Sequence, residues 1–222
     1  MNTTNTSSLD RAVEFADNPE SRCPVVILVD TSGSMEGAPI DALNQGIQKF
    51  KTEVQQDVLA AKRLEISLVS FNSSVTVEQD FVTIDAFNPP NLSSSGRTAM
   101  GQGILKAFEL IEARKAEYKN HGIAYYRPWI FLITDGAPSD DTSAAEQRIK
   151  DAEAAKRVAF FAVGVEGADM ARLAKISVRP PVKLDGLNFA AMFVWLSRSL
   201  QAVAASQPGD QVGLPAVGWG KV

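Results

Sequence analysis

The chain has 222 residues, of which 45% are apolar and 22% charged, and its 26 acidic and 22 basic side chains give a net charge of −4. These proportions suit a folded protein with one substantial core and exclude a fibrous or wholly disordered chain. No strongly basic stretch is present, which argues against phosphate-backbone binding, and a single cysteine, Cys23, excludes an internal disulfide framework.

Residues 1–8 read as disordered and residues 9–15 as a short amphipathic helix, both within an N-terminal extension of residues 1–23. The first twenty residues lack a basic segment followed by an apolar one, so no signal peptide is expected. No apolar run approaches the roughly 18 residues of a membrane span. Cys23 reads as a small buried thiol suited to a reducing compartment, and the expected location is the cytoplasm.

Pro24-Val25-Val26-Ile27-Leu28-Val29 is continuously apolar and rich in β-branched residues, as in a central strand covered on both faces. Behind Pro39, residues Ile40, Leu43, Ile47, Phe50, Val54 and Val58 recur at three- and four-residue steps and predict one long amphipathic helix. Residues 64–71 and 75–81, joined by Asn72-Ser73-Ser74, predict a hairpin of partly alternating strands. Met100, Ile104, Phe108 and Ile111 mark a second helix, and residues 129–133 another buried strand. Ser139-Asp140-Asp141 offers a cap and two acids for a helix through about residue 157, before a strand at 158–163. A short helix near 169–176, a weak strand near 182–184 and a helix carrying Phe189, Met192, Phe193, Leu196, Leu200 and Val203 complete a domain of residues 24–204. Strands alternating with helices, one hairpin aside, imply an α/β fold: a doubly wound, mostly parallel sheet with one antiparallel edge strand and helices on both faces. Residues 205–222 form a Gly- and Pro-rich tail whose Val212, Leu214, Val217 and Trp219 suit packing either on the domain or on a partner.

The chemistry concentrates where the first strand should stop. In Asp30-Thr31-Ser32-Gly33-Ser34-Met35 a carboxylate and two hydroxyls occupy alternate positions, so Asp30, Ser32 and Ser34 can face one small cation. These are hard oxygen donors and only half a site. Thr98, in Ser95-Gly96-Arg97-Thr98-Ala99-Met100-Gly101, opens a helix, and Asp135, in Leu132-Ile133-Thr134-Asp135-Gly136, follows another apolar strand. Ligands of open α/β sheets bind beyond the carboxyl ends of strands, where both Asp30 and Asp135 fall.

This five-residue pattern resembles the metal-ion-dependent adhesion site (MIDAS) of von Willebrand factor A (VWA) domains, over roughly residues 24–204. Through Asp30-Thr31-Ser32-Gly33-Ser34-Met35, Gly37-Ala38-Pro39-Ile40, Thr98-Ala99-Met100-Gly101 and Leu132-Ile133-Thr134-Asp135-Gly136 it is further similar to the TerY-type domains of bacterial tellurite-resistance and stress operons. The resemblance implies direct coordination by Ser32, Ser34 and, in one state of the site, Thr98, with Asp30 and Asp135 largely holding waters. It implies Mg²⁺, with Ca²⁺ or Mn²⁺ able to substitute, and a protein partner that supplies an Asp or Glu to the metal. It also implies an adaptor role, with a kinase or phosphatase of the same operon as partner. Gly96-Arg97-Thr98 departs from the common Gly-Gly-Thr form, so Arg97 either contacts an acidic ligand or is solvated without a role.

Other functions fit less well. Asp30 after a buried strand could be a phosphatase nucleophile, but such chemistry wants a second carboxylate two residues on, where Ser32 stands. Ser34 lacks a Gly-x-Ser-x-Gly setting, and the one histidine, His121, reads as solvated in a polar turn. Gly101-x-Gly103 is a fragment of a nucleotide fingerprint, and no Gly-Lys-Ser/Thr loop exists. A non-enzymatic domain is expected, with a metal-stabilised structural or sensor domain as the alternative to metal-dependent partner binding.

Overall fold

The computed structural model describes residues 15–221. The helix expected over residues 9–15 lies outside them apart from Phe15, as do residues 1–8; residues 15–17 are helical.

β1 (Cys23–Asp30) is buried at every position, as its unbroken apolar run requires. It pairs in parallel with β2 (Leu64–Phe71) on one side and with β4 (Trp129–Thr134) on the other. β3 (Val75–Thr83) returns antiparallel to β2 and forms one edge; β5 (Ala159–Gly164) and β6 (Val182–Leu184) continue in parallel beyond β4. The order is β3-β2-β1-β4-β5-β6-β7. The far edge departs from expectation: β7 (Gly220–Lys221), from the C-terminal tail, adds a two-residue antiparallel strand to β6.

Successive β1 side chains feed two cores. Val25, Ile27 and Val29 pack with α1 (Ala38–Gln55), α2 (Val58–Arg63) and α6 (Phe189–Ala204). Val26 and Leu28 face α3 (Met100–Asn120), α4 (Ser143–Ala154) and α5 (Met170–Ile176). The sheet is therefore doubly wound, and the chain departs from β1 in opposite directions toward β2 and β4. That reversal creates a crevice at their carboxyl ends.

Three local readings need correction. The single helix expected from Ile40 to Val58 is two, because Asp57 turns away and its carboxylate accepts from the N–H groups of Leu59 and Ala60, starting α2. β2 is buried throughout; its one charged residue, Glu65, is satisfied by Arg22 and Arg114 at 2.8 and 2.7 Å. The helix expected from about residue 139 begins at Ser143, and Asp140 serves α3 instead: its two oxygens accept from Gly101 N and Gln102 N at 3.0 and 2.9 Å. Cys23 is buried, and burial followed by the nearby Glu65 charge pushes its thiol up to about 12.

Candidate metal centre

Asp30 ends β1 with its side chain fully buried, directly in the crevice between β1 and β4. One carboxylate oxygen accepts from the backbone N–H of Ser32 at 2.8 Å; the other accepts from the Thr134 hydroxyl at the end of β4. The chain then turns through a short 3-10 helix, Gly33–Met35, which carries Ser34 back over the strand end. Ser32 Oγ lies 3.1 Å from Ser34 Oγ, and Ser34 Oγ donates to Asp135 Oδ1 at 2.8 Å. Four of the five predicted residues thus form one continuous run of close oxygens.

Thr98 joins from the loop before α3. That loop is stitched to its neighbours by backbone bonds from Gly33 N to Gly96 O, Ser95 N to Thr31 O and Ala99 N to Asn72 O. Thr98 N donates to Ser139 Oγ and Ser139 N to Thr98 O, tying it to the segment after β4. A Cβ placed on Gly136 would stand 3.5 Å from Thr98 Oγ1 and 4.0 Å from Asp30 Oδ2, so both oxygens border the same small space. The Thr98 hydroxyl makes no hydrogen bond among the described residues. Ser34 is exposed, whereas Ser32, Thr98 and Asp135 are buried, so the cluster opens to solvent on the Ser34 side.

Both acids are poised for a counter-charge. Burial raises the Asp30 pKa, opposed by hydrogen bonds from Ser32 and Thr134, with the Asp135 charge adding a further upward push. Burial likewise raises Asp135, opposed by the Ser34 hydroxyl and a backbone hydrogen bond. Two desolvated carboxyls, two hydroxyls in mutual contact and a third hydroxyl without a partner match the donor chemistry of a hard divalent cation. No cluster of three or more His, Cys, Asp or Glu capable of holding a metal occurs among the described residues.

A model of the von Willebrand factor type A domain matches residues 25–192. The chain belongs to this family. VWA domains commonly bind protein partners through a metal held at a MIDAS. The mouse (Mus musculus) collagen alpha-5(VI) chain is 24% identical over 168 residues, 71% of this chain and 6% of that one. Proximal thread matrix protein 1 from the mussel byssus, with a zinc-occupied MIDAS motif, superposes with a TM-score of 0.57 at 16% identity, covering 82% of this chain and 48% of that one. The pilus adhesin SpaC from Lactobacillus rhamnosus GG gives a TM-score of 0.65 at 16% identity, over 82% of this chain and 31% of its own. The chain spans a small part of the collagen chain and less than half of either structure, and at these identities the structural likeness speaks for the fold alone.

Around the VWA cluster stand residues that the sequence did not assign to the site. Thr134 fixes the Asp30 carboxylate, Ser139 fixes the Thr98 backbone and Asp140 caps α3, the helix that follows Thr98. Thr134 was legible in principle as the residue before Asp135 at the end of a strand. Ser139 and Asp140 read locally as the cap and a first-turn acid of the helix after them, because their actual partners are about 40 residues away. Arg97 is exposed at the rim, with its backbone N–H donating to Ser73 Oγ at 3.0 Å. His121 is exposed, and its ring packs 5.1 Å from that of Phe15.

Proposed function

We propose that this VWA domain is a metal-dependent protein-interaction module in which Asp30, Ser32, Ser34, Thr98 and Asp135 hold Mg²⁺ and a partner's Asp or Glu completes the site. What carries the reading is the run of contacts from Asp30 through Ser32 and Ser34 to Asp135, with the unpartnered Thr98 hydroxyl beside it. Bound there, a divalent cation opposed by only two carboxylates would keep electrophilic character toward an incoming acidic side chain. Asp30 and Asp135 supply the charge, while Thr134 and the Ser32 N–H hold Asp30 in place. Ser34, the exposed member, marks the side from which a partner approaches. The zinc in the byssus relative supports a divalent ion; the all-oxygen donor set here favours Mg²⁺, with Ca²⁺ or Mn²⁺ as substitutes, over zinc, which prefers nitrogen and sulfur.

The motif resemblance to TerY-type domains extends this proposal to a cytoplasmic adaptor in a bacterial tellurite-resistance or chemical-stress system, with an operon-encoded kinase or phosphatase as partner. Neither nucleic acid nor catalysis enters it: the chain has no strongly basic stretch, and Ser32 occupies the place of a phosphatase's second acid. No helix among the described residues is long and apolar enough to cross a membrane.

Calorimetry with Mg²⁺, Ca²⁺ and Mn²⁺ on the wild type and on a variant carrying Asp30→Ala and Ser32→Ala tests the site. Binding by the wild type, its loss in the variant, and a partner interaction that vanishes in EDTA and returns with Mg²⁺ are expected. The raised Asp30 and Asp135 pKa values favour a second reading, in which the ion chiefly relieves buried charge and stabilises the fold. A large rise in melting temperature with metal, alongside partner binding indifferent to EDTA, selects that alternative.

A further inference from the structure

Helix α6 carries one charged residue, Arg198, among its sixteen. Phe189, Met192, Phe193, Leu196 and Leu200 fill the core from its inner side. Ala190, Ala191, Val194 and Trp195 continue the apolar surface toward its outer side, interrupted by the exposed Arg198, and apolar helix surface is normally covered. The C-terminal tail covers part of that outer side. Trp219 meets Trp195 edge to face with ring centroids 5.6 Å apart, and Trp195 Nε1 donates to the Pro215 carbonyl at 2.9 Å.

The rest is a groove of about 550 Å³ between α6 and the tail, walled by Ala191, Val194, Trp195, Pro215 and Trp219, with Arg198 the one charged residue in its lining. Ala191 and Val194 are half-buried, and Arg198 is exposed with no ion pair or hydrogen bond among the described residues. The indole N–H of Trp219 is buried without an acceptor. Apolar walls, aromatic rings and an unused guanidinium call for an occupant that is apolar with a negative charge beside it. A guanidinium takes a carboxylate through two parallel bonds, and aromatic walls favour a bulky side chain.

We infer that this groove receives a segment of a protein partner bearing a bulky apolar side chain next to an Asp or Glu, the apolar group against Val194 and Trp195 and the carboxylate on Arg198. The inference shares no residue with the metal centre and stands without it.

Selection of phage-displayed random dodecapeptides on the immobilised full chain tests it, run in parallel in Mg²⁺ and in EDTA. Recovered peptides are expected to pair an acidic residue with a bulky apolar neighbour in both buffers. Fluorescence anisotropy with these synthetic peptides should show a loss of about tenfold or more, about 1.4 kcal/mol, for Arg198→Glu and for Val194→Asp, and no change for Asp30→Ala. Melting curves show that the surface variants remain folded; if Val194→Asp does not, Arg198→Glu decides alone. Peptides that bind Arg198→Glu as well as wild type, or selection that recovers no acidic-apolar peptide, overturn the assignment. So does a concentration-dependent dimer in sedimentation that Arg198→Glu dissolves, because the groove then belongs to a second copy.

Discussion

Ser34 Oγ donates to Asp135 Oδ1 across 2.8 Å, joining two loops 101 residues apart in the chain. A hydroxyl can give its proton to a carboxylate while its lone pairs face a cation, so the contact is compatible with both residues serving one ion. Ser34→Ala removes donor and ligand together. Mg²⁺ affinity measured by calorimetry should fall about tenfold or more, whereas metal-free stability should drop by only about 1 kcal/mol, the worth of one partly exposed hydrogen bond. Wild-type affinity in the variant would place Ser34 outside the ligand set.

The two buried acids give the centre a pH dependence of definite sign. In EDTA both carboxyls hold protons more tightly in the folded protein than in the unfolded chain, chiefly through burial. Between the ordinary carboxylate pKa of 3.8 and their raised values the native state binds more protons than the unfolded one, so stability falls as pH rises through that window. Adding metal reverses this pair's contribution, because both acids must ionise to hold a cation. Mg²⁺ affinity should therefore climb with pH across the same window. Calorimetry in buffers of different ionisation enthalpy should detect proton release on binding there; metal uptake without proton release would contradict it.

Asp140 and Gly101 form the joint that places Thr98. The Asp140 carboxylate accepts from two N–H groups of the first turn of α3, and a Cβ on Gly101 would stand 2.5 Å from Asp141 O and 3.0 Å from Asp140 Oδ2. Asp140→Ala should cost about 1 kcal/mol as a lost helix cap. Gly101→Ala should destabilise despite the gain in helix propensity, because the new Cβ forces the Asp141 backbone to move. Both should weaken Mg²⁺ binding, since Ser139 and Asp140 are consecutive and Ser139 anchors Thr98. Reduced stability with unchanged metal affinity would separate the cap from the centre.

At the other end of β2, Glu65 is fully buried between Arg22 and Arg114 and also accepts from the Tyr118 hydroxyl. Arg22 goes on to donate to the Glu20 and Asn18 carbonyls at 2.7 and 2.6 Å, so the network fixes the chain entering β1. Glu65→Gln takes the counter-charge from the buried Arg22 guanidinium and one carboxylate partner from Arg114, which keeps Glu117 at 2.7 Å; the loss should cost about 3–5 kcal/mol in chemical denaturation. Glu65 begins its parallel strand whereas Asp30 ends its own, so Mg²⁺ affinity of the folded variant should not change. A shift in affinity would show that the two ends of the sheet are coupled.

The sheet and its helices were legible because each buried strand is a short unbroken apolar run and each helix carries a three- and four-residue period; these are local signals. The five candidate ligands were legible for a related reason, since Asp30, Thr98 and Asp135 sit at element boundaries that the same periodicities define. What escaped the sequence depends on pairs distant along the chain. Nothing near Asp140 says that it caps α3 rather than α4, and nothing near Glu65 names Arg22 and Arg114 as its partners. β7 escaped because two residues, Gly220 and Lys221, carry no period at all.

The tail shows how such a short strand can hold. β7 contributes only the pairings of Lys183 with Lys221 and Leu184 with Gly220, too few to dock residues 205–221 unaided. Trp219 is 3% exposed against Trp195 and the core, and burial of a side chain that large supplies the missing stabilisation. Trp219→Ala should therefore cost about 3 kcal/mol or more. Gly220→Ala should reach the same undocked state by another route, since its Cβ would stand 2.4 Å from Lys183 O. In both variants Trp195 loses its edge-to-face neighbour, so the emission of this indole should shift to the red together with the drop in the denaturation midpoint. A lowered midpoint with unchanged Trp195 emission would mean that the tail stays on α6 without its tryptophan, and that Leu214 and Val217, packed on the same core, hold it instead.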